Sequence, residues 1–366
     1  MKFSINQSEL QGAISIVSKG LSTRSTLPIL SGIYLEARGD SLLMQTTDLE
    51  LSVQYVVSAL VEEEGRAVVP GKLFESIVKS LPDAAVCVEE RGGFAAVTCD
   101  SAAFSIKTLD AGDFPGFPQV ETGEEIVVPF PQFASMVKRV ARVVSKDESR
   151  AVLTGVLITA QEGLLRMVAT DSYRLAITDA SVESGSCDGF SAVISGSFLQ
   201  GIAALPRTED DIHLALAENQ IVVTYGDVVL VNRRIEGKYP NYRQLLPSTC
   251  ATRACIQKEK LASAVKRMSV LGQNSIPVRF EIDTESGTIL LTATTQDVGT
   301  VQEVVPCTGE GEAVSIAFNC SYVLEGLSAV DTENVYLEVQ SSLKPGIFRA
   351  DEDEGYLYLV MPVRLS

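Results

Sequence analysis

A short polar corner occurs three times along the chain: Thr46-Thr47-Asp48-Leu49-Glu50-Leu51, Ala169-Thr170-Asp171-Ser172-Tyr173-Arg174-Leu175-Ala176 and Thr294-Thr295-Gln296-Asp297-Val298. Each copy follows an apolar run: Ser41-Leu42-Leu43-Met44, Leu164-Leu165-Arg166-Met167 and Thr288-Ile289-Leu290-Leu291. Such a corner between apolar runs reads as a turn between two strands. Three copies about 120 residues apart make the chain three versions of one unit. That period is far longer than the roughly 20–50 residues of a solenoid repeat, so each copy is a globular domain.

Each period holds two strand-to-helix halves. The first opens with strand Lys2–Asn6 and a helix from Ser8 to Lys19, with Ser8 as N-cap and Leu10, Ala13, Ile14 and Val17 as its apolar stripe. Its second half is Arg66-Ala67-Val68-Val69-Pro70 and a helix over Lys72–Ser80, stopped by Leu81-Pro82. Helices are likewise expected over Pro131–Ser145, Phe198–Leu205, Lys258–Val270 and around Tyr322–Ala329. The aromatic-proline loop Gly112-Asp113-Phe114-Pro115-Gly116-Phe117 ends the first repeat, and Gly237-Lys238-Tyr239-Pro240-Asn241-Tyr242 ends the second. The expected fold class is α+β: three domains, 1–123, 124–249 and 250–366, each with two helices and largely antiparallel sheets.

Composition narrows the function classes. The chain is 46% hydrophobic, enough for real cores, yet no apolar run approaches the ~20 residues of a membrane helix. The N-terminus alternates like a strand and lacks the apolar core of a signal peptide, so a cytoplasmic protein without membrane contact is expected. The seven cysteines are scattered with no CxxC pair and read as reduced core thiols. The one histidine, His213, sits in an alternating strand. Neither a metal site nor a cofactor is expected.

The net charge of −17 opposes nucleic-acid binding if taken alone, because affinity for phosphate comes from Lys and Arg. Its distribution matters more. The six helical segments (8–24, 71–81, 131–150, 197–207, 258–267 and 319–330) hold 14 Lys and Arg against 6 acids, leaving −25 for the remainder. Lys138, Arg142 and Lys146 recur at i+4 steps, away from the apolar face of Phe133, Val137, Val140, Ala141 and Val144. If the helices share one side, that side is basic and the sheets opposite are acidic. Such a surface would hold a polyanion through its backbone phosphates, with no base-reading motif.

The chain resembles, over essentially its whole length, the bacterial DNA polymerase III beta subunit family, the sliding clamps. The markers are Met1-Lys2-Phe3, Arg24-Ser25-Thr26-Leu27-Pro28-Ile29-Leu30, Thr47-Asp48-Leu49-Glu50, Ala169-Thr170-Asp171-Ser172-Tyr173-Arg174-Leu175, Tyr239-Pro240-Asn241-Tyr242, Phe318-Asn319-Cys320-Ser321-Tyr322-Val323-Leu324 and Met361-Pro362-Val363-Arg364-Leu365. The resemblance implies a head-to-tail homodimer forming a ring around double-stranded DNA, with helices inside and sheet outside. It implies no catalysis. Partners would be the DNA polymerase III alpha subunit, the clamp loader delta subunit, and other polymerases and repair proteins with clamp-binding motifs.

The resemblance also assigns residues. A hydrophobic partner peptide would enter a groove lined by Arg150, Leu153, Thr170, Ser172, Tyr173, Arg174, Leu175, Pro240, Gln244, Leu245, Tyr322, Met361, Pro362, Val363 and Arg364. Some relatives carry Gly-His at Ser172-Tyr173 and an Arg at Gln244. The dimer interface would use Ile77, Leu81 and Ile106 from the first domain, and Val270 and Leu271 from the third. Arg24 and Lys72 match basic DNA-contact positions, whereas Asp147, Ala151 and Ser197 replace Gln, Tyr and Lys. Lys138, Arg142 and Lys146 join the DNA-binding set on spacing alone. Two other readings fit the same residues: an enzyme using the corner acids Asp48, Asp171 or Asp297, and a clamp-like scaffold with another partner.

Overall fold

The computed structural model describes residues 1–22, 27–182, 189–247, 249–272, 276–350 and 355–365. Arg24, Cys187 and Ser366 lie outside the described residues. Six α-helices are present among them: α1 (Gln7–Val17), α2 (Gly71–Ser80), α3 (Phe130–Val140), α4 (Gly196–Ala203), α5 (Lys258–Met268) and α6 (Cys320–Leu327). All ladder pairings between strands are antiparallel, as expected from the short turns. No described helix is long and apolar enough to cross a membrane.

The strands form two compact units. The first, Met1–Phe130 with Leu205–Arg234, holds a five-stranded and an eight-stranded sheet together with α1 and α2. In the larger sheet Leu51–Ser58, from the first repeat, pairs with Val228–Arg233, from the second. The second unit, Pro131–Ala204 with Ile235–Ser366, holds a nine-stranded and a four-stranded sheet and α4–α6. There Arg174–Ser181 pairs with Tyr356–Val360 of the third repeat. Sheets that run through the repeat junctions explain why compact units and repeats do not coincide.

Several helix ends differ from their sequence expectations. The N-cap of α1 is Asn6, not Ser8: the Asn6 backbone is extended and its Oδ1 accepts the Ser8 N–H at 2.9 Å. The expected stripe of Leu10, Ala13, Ile14 and Val17 is buried. In the second repeat, α4 and the Phe198–Leu205 expectation overlap but do not coincide, because Ser195 caps the helix by accepting the Phe198 N–H.

The largest difference is in α3, which ends at Val140 instead of running to Ser145. Its ladder gives way to a tighter turn, Val143 N–H to Val140 O at 2.9 Å, and Ser145 N–H then bonds to Leu153 O at 2.7 Å. Side chains take over the freed carbonyls. Gln200 Nε2 donates to Ala141 O at 2.8 Å, and Arg174 Nη2 donates to Arg142 O at 3.3 Å. Lys138, Arg142 and Lys146 are all exposed, but only Lys138 is helical, so they are not a ladder on one helix face. Within the six helices proper, eight Lys and Arg face four acids; much of the basic excess lies just beyond the helix ends.

Candidate partner-binding site

The central corner is built by its own side chains. Asp171 Oδ1 accepts the N–H groups of Tyr173 at 2.9 Å and Arg174 at 3.0 Å. Thr170 Oγ1 accepts the Ser172 N–H at 3.2 Å and donates to Arg174 O at 2.7 Å. Ser172 takes the left-handed φ of 78° that closes the turn. The first corner repeats this pattern. Asp48 Oδ1 accepts from Glu50 at 3.0 Å and Leu51 at 2.7 Å, Thr47 Oγ1 accepts from Leu49 at 3.0 Å, and Leu49 has φ 76°.

The third corner is a different turn. Thr295 pairs with Gly299, leaving three residues in the loop, whereas Thr170 pairs with Leu175 and Thr47 with Ser52, leaving four. Asp297 itself takes the positive φ, 61°, and is not the counterpart of Asp48 and Asp171. In the two matching corners the Asp oxygens are committed to backbone N–H groups, a turn-forming role that does not need a reactive carboxylate.

Strand alternation sends Arg174 and Leu175 to opposite faces of the nine-stranded sheet. Arg174 is 8% exposed and bonds Asp171 Oδ2 at 3.1 Å, Glu325 Oε2 at 2.6 Å and the Tyr358 hydroxyl at 3.3 Å. Its guanidinium also lies 4.5 Å from the Tyr322 ring centroid. Burial disfavours its charge, but Tyr358 and Glu325 outweigh this and raise its pKa. Arg174 therefore fastens the corner to α6 and to the end of α3.

Leu175 enters an apolar cluster with Val168, Ile177, Tyr242, Ile347, Leu357 and Leu359. Register accounts for this: Leu175 pairs with Leu359, and Ile177 with Leu357. The loop after the second repeat lies on the cluster. Tyr239 donates to Val168 O at 3.2 Å, Tyr242 is buried, and Leu246 packs alongside. Tyr242, Leu357 and Leu359 were missed as site residues: the strand pairing that brings the two leucines to Leu175 joins residues some 180 apart, and Tyr242 arrives on the short turn Tyr242–Leu245.

Four of the assigned apolar residues are exposed: Tyr173 at 60%, Leu245 at 43%, and Met361 and Val363 at 37%. Met361 N–H bonds Tyr173 O at 2.9 Å, and Val363 N–H bonds Ala317 O at 2.8 Å. Arg150 donates to Ser172 Oγ at 3.0 Å. Pro240, Gln244 and Arg364 are exposed, Tyr322 and Pro362 half-buried, and Leu153 and Thr170 buried. All the proposed groove residues thus belong to one compact unit.

The first corner has the same backbone but another floor. By register, Gln45, Ser52, Gln54 and Val231 stand where Val168, Leu175, Ile177 and Leu359 stand in the second unit. Thr47 and Ser52 bond each other through their hydroxyls at 2.9 Å, and Gln45 Nε2 donates to Pro115 O at 3.2 Å. With Gln45, Ser52 and Gln54 in place of Val168, Leu175 and Ile177, this floor is mostly polar and a poorer seat for an apolar side chain.

Of the other assigned residues, Lys72 is exposed on α2, and Lys138 and Lys146 are exposed with no ion pair among the described residues. Arg142 donates to Ser328 Oγ at 3.2 Å. Ile77, Leu81 and Ile106 are buried within the chain, whereas Val270 is 81% exposed. Beside Ile106 on the edge strand Ala102–Lys107, Phe104 is 38% exposed, a candidate that the sequence reading passed over. His213 is half-buried and pairs with Glu125 at 2.7 Å.

Repeated helix-and-sheet units with antiparallel sheets running through their junctions define a three-repeat clamp-type fold. The N-terminal, central and C-terminal domain models of the DNA polymerase III beta subunit match residues 1–118, 127–241 and 243–364. The chain is 32% identical over 390 residues to the beta sliding clamp of Synechocystis and 32% identical over 378 residues to that of Streptomyces coelicolor, covering 100% of each. Among solved structures, the DNA polymerase sliding clamp of Bacillus subtilis superposes with TM-score 0.95 at 26% identity. The Pseudomonas aeruginosa clamp bound to griselimycin gives 0.94 at 25%; both chains are covered in full in each case. The chain belongs to the DNA polymerase III beta subunit family, the beta sliding clamps, and is not an enzyme.

Proposed function

We propose that two copies of this chain close head to tail into a ring around double-stranded DNA and slide along it without reading sequence. The observation that carries this reading is the pattern of sheets. The eight- and nine-stranded sheets run through repeat junctions, while the five- and four-stranded sheets stop at free edges. Joining the edge Ala102–Lys107 of one copy to the edge Gly299–Pro306 of another would make a third continuous sheet. A head-to-tail contact must close in this way or propagate as a filament. Ile77, Leu81, Ile106, Val270 and Leu271 would lie at that contact, with Phe104 added. The domain boundaries 1–123, 124–249 and 250–366 belong to the same reading.

DNA would be held by Lys72, Lys138, Arg142 and Lys146, with Arg24 in the same set. The acidic remainder would repel DNA elsewhere. Partner proteins, the polymerase alpha subunit and the clamp loader delta subunit among them, would insert a hydrophobic peptide at the Tyr173–Leu245–Met361 rim. All of this would take place in the cytoplasm. Mass in solution at low micromolar concentration tests the ring: twice 39.3 kDa supports it, and a stable 39.3 kDa monomer overturns it.

A further inference from the structure

Beyond the end of α3 the chain winds tightly around one carboxylate. Asp147 Oδ1 accepts the Ser149 N–H at 3.1 Å and the Ser149 hydroxyl at 2.6 Å. Ser145 Oγ accepts the Asp147 N–H at 3.1 Å, and Asp147 O accepts the Arg150 N–H at 3.2 Å. Arg150 then breaks the short 3₁₀ segment Glu148–Thr154, at φ −117° and ψ 63°. Its guanidinium spans two elements: Nε lies 3.4 Å from Asp147 Oδ2, while Nη1 donates to Ser172 Oγ at 3.0 Å. One arginine thus joins the segment after α3 to the corner that carries Tyr173.

The two contacts do different things. Ser172 fixes one nitrogen by a neutral hydrogen bond, whereas Asp147 sets an opposite charge beside the same group. Bonds from Ser149, and after them the Arg150 charge, hold the Asp147 carboxyl below its ordinary value, so it is ionised at neutral pH. A guanidinium has more N–H groups than these two partners engage, and this side chain is 47% exposed, so donors remain for a ligand. A donor whose charge is already met serves a peptide carbonyl about as well as a carboxylate; a bare cation favours the carboxylate. The Asp147 charge would also repel phosphate, so this side chain suits the peptide groove better than a DNA contact.

We propose that Asp147 is a positioning and specificity-determining residue of the partner site. It holds Arg150 beside Ser172 and offsets its charge, so that the groove admits neutral peptide segments and does not select acidic ones. This inference rests on the peptide-docking reading above. Both side chains are about half exposed, so solvent screening keeps the expected effect small.

The test measures peptide binding to the full-length protein by fluorescence anisotropy. The probes are labelled, end-blocked hexapeptides, apolar except for one Asp walked through every position, each matched by its Asn version. Asp147→Asn keeps an oxygen to accept from Ser149 and removes the charge. It should raise the preference for Asp over Asn about three-fold at one or more peptide positions, and less in high salt. Glu148→Gln removes the same charge from the exposed neighbouring residue and should leave that preference nearly unchanged. Equal shifts in the two variants, or no shift in Asp147→Asn at any position, would overturn the proposal. If Tyr173→Ala and Met361→Ala both leave every peptide's affinity untouched, the docking reading fails, and this inference with it.

Discussion

Arg174 and Glu325 pair at 2.6 Å, which ties a turn of the central repeat to a helix of the third. The guanidinium is 8% exposed and the carboxylate 41%, so the Coulombic part is partly screened. The greater loss on truncation falls on the groups left behind: Tyr358, Asp171 and the Arg142 carbonyl. Arg174→Ala should therefore destabilise the protein by about 2 kcal/mol. Arg174→Lys should recover only part, because one ammonium cannot span these partners. Urea unfolding midpoints check this, and an unchanged midpoint for the alanine variant contradicts the bracing role.

Since Arg174 supports the fold, peptide docking is better probed at the rim. Tyr173→Ala and Met361→Ala remove exposed side chains and should leave the unfolding midpoint unchanged. Each should weaken binding of a polymerase-tail peptide about ten-fold, equivalent to about 1.4 kcal/mol. Fluorescence anisotropy with that peptide is the measurement. Undiminished affinity in both variants removes the rim from the site.

The corners themselves can be tested. Leu49 is 59% exposed and has φ 76°, a conformation costly for a side chain bearing Cβ. Leu49→Gly should stabilise by about 0.5 kcal/mol once the entropy of glycine is subtracted. Asp48→Ala should destabilise by about 1 kcal/mol through two freed N–H groups. Thermal unfolding of the two variants should shift in opposite directions.

These corners show how far the sequence could be read. The Thr-Asp pattern at 47–48 and 170–171 gave the turn because its chemistry is local: a side chain bonding N–H groups two and three residues ahead. Asp297 misled for the same reason, since the match ignored a loop one residue shorter. Helix α3 looked longer than it is because Lys138, Arg142 and Lys146 keep helical spacing after the backbone has left the helix. What ended it, the Ser145–Leu153 bond and capping by Gln200 and Arg174, comes from distant residues. The apolar floor was legible only at Leu175; Leu359 needed the strand register, and Tyr242 the folding back of the loop that carries it.

The ring contact makes a sharp demand on Val270, which is 81% exposed at the end of α5. Nothing in the chain's own core requires it. Val270→Asp should leave the unfolding midpoint of the monomer unchanged and shift the dimer–monomer equilibrium at least ten-fold toward monomer. Sedimentation velocity across a dilution series reads this directly. A wild-type dimer affinity would remove Val270 from the contact.

An acid dependence follows from Glu303, whose bonds from Arg267 hold its carboxyl below the ordinary value of 4.5. A depressed folded pKa gives stability that is full above the unfolded value and lost as pH falls through the folded one. Glu303→Gln should lessen the slope of stability against pH below about 4.5, with little change in that slope above it. Denaturant midpoints between pH 3 and 6 would check it, and an identical acid limb in both proteins would contradict it.

A ring stays on DNA because it surrounds it, not because its contacts are strong. Retention after loading onto nicked circular DNA, followed by linearisation with a single cut, measures this most directly. The ring account predicts stable retention on the circle and rapid loss from the free ends once the DNA is cut. Equal retention before and after cutting would contradict it.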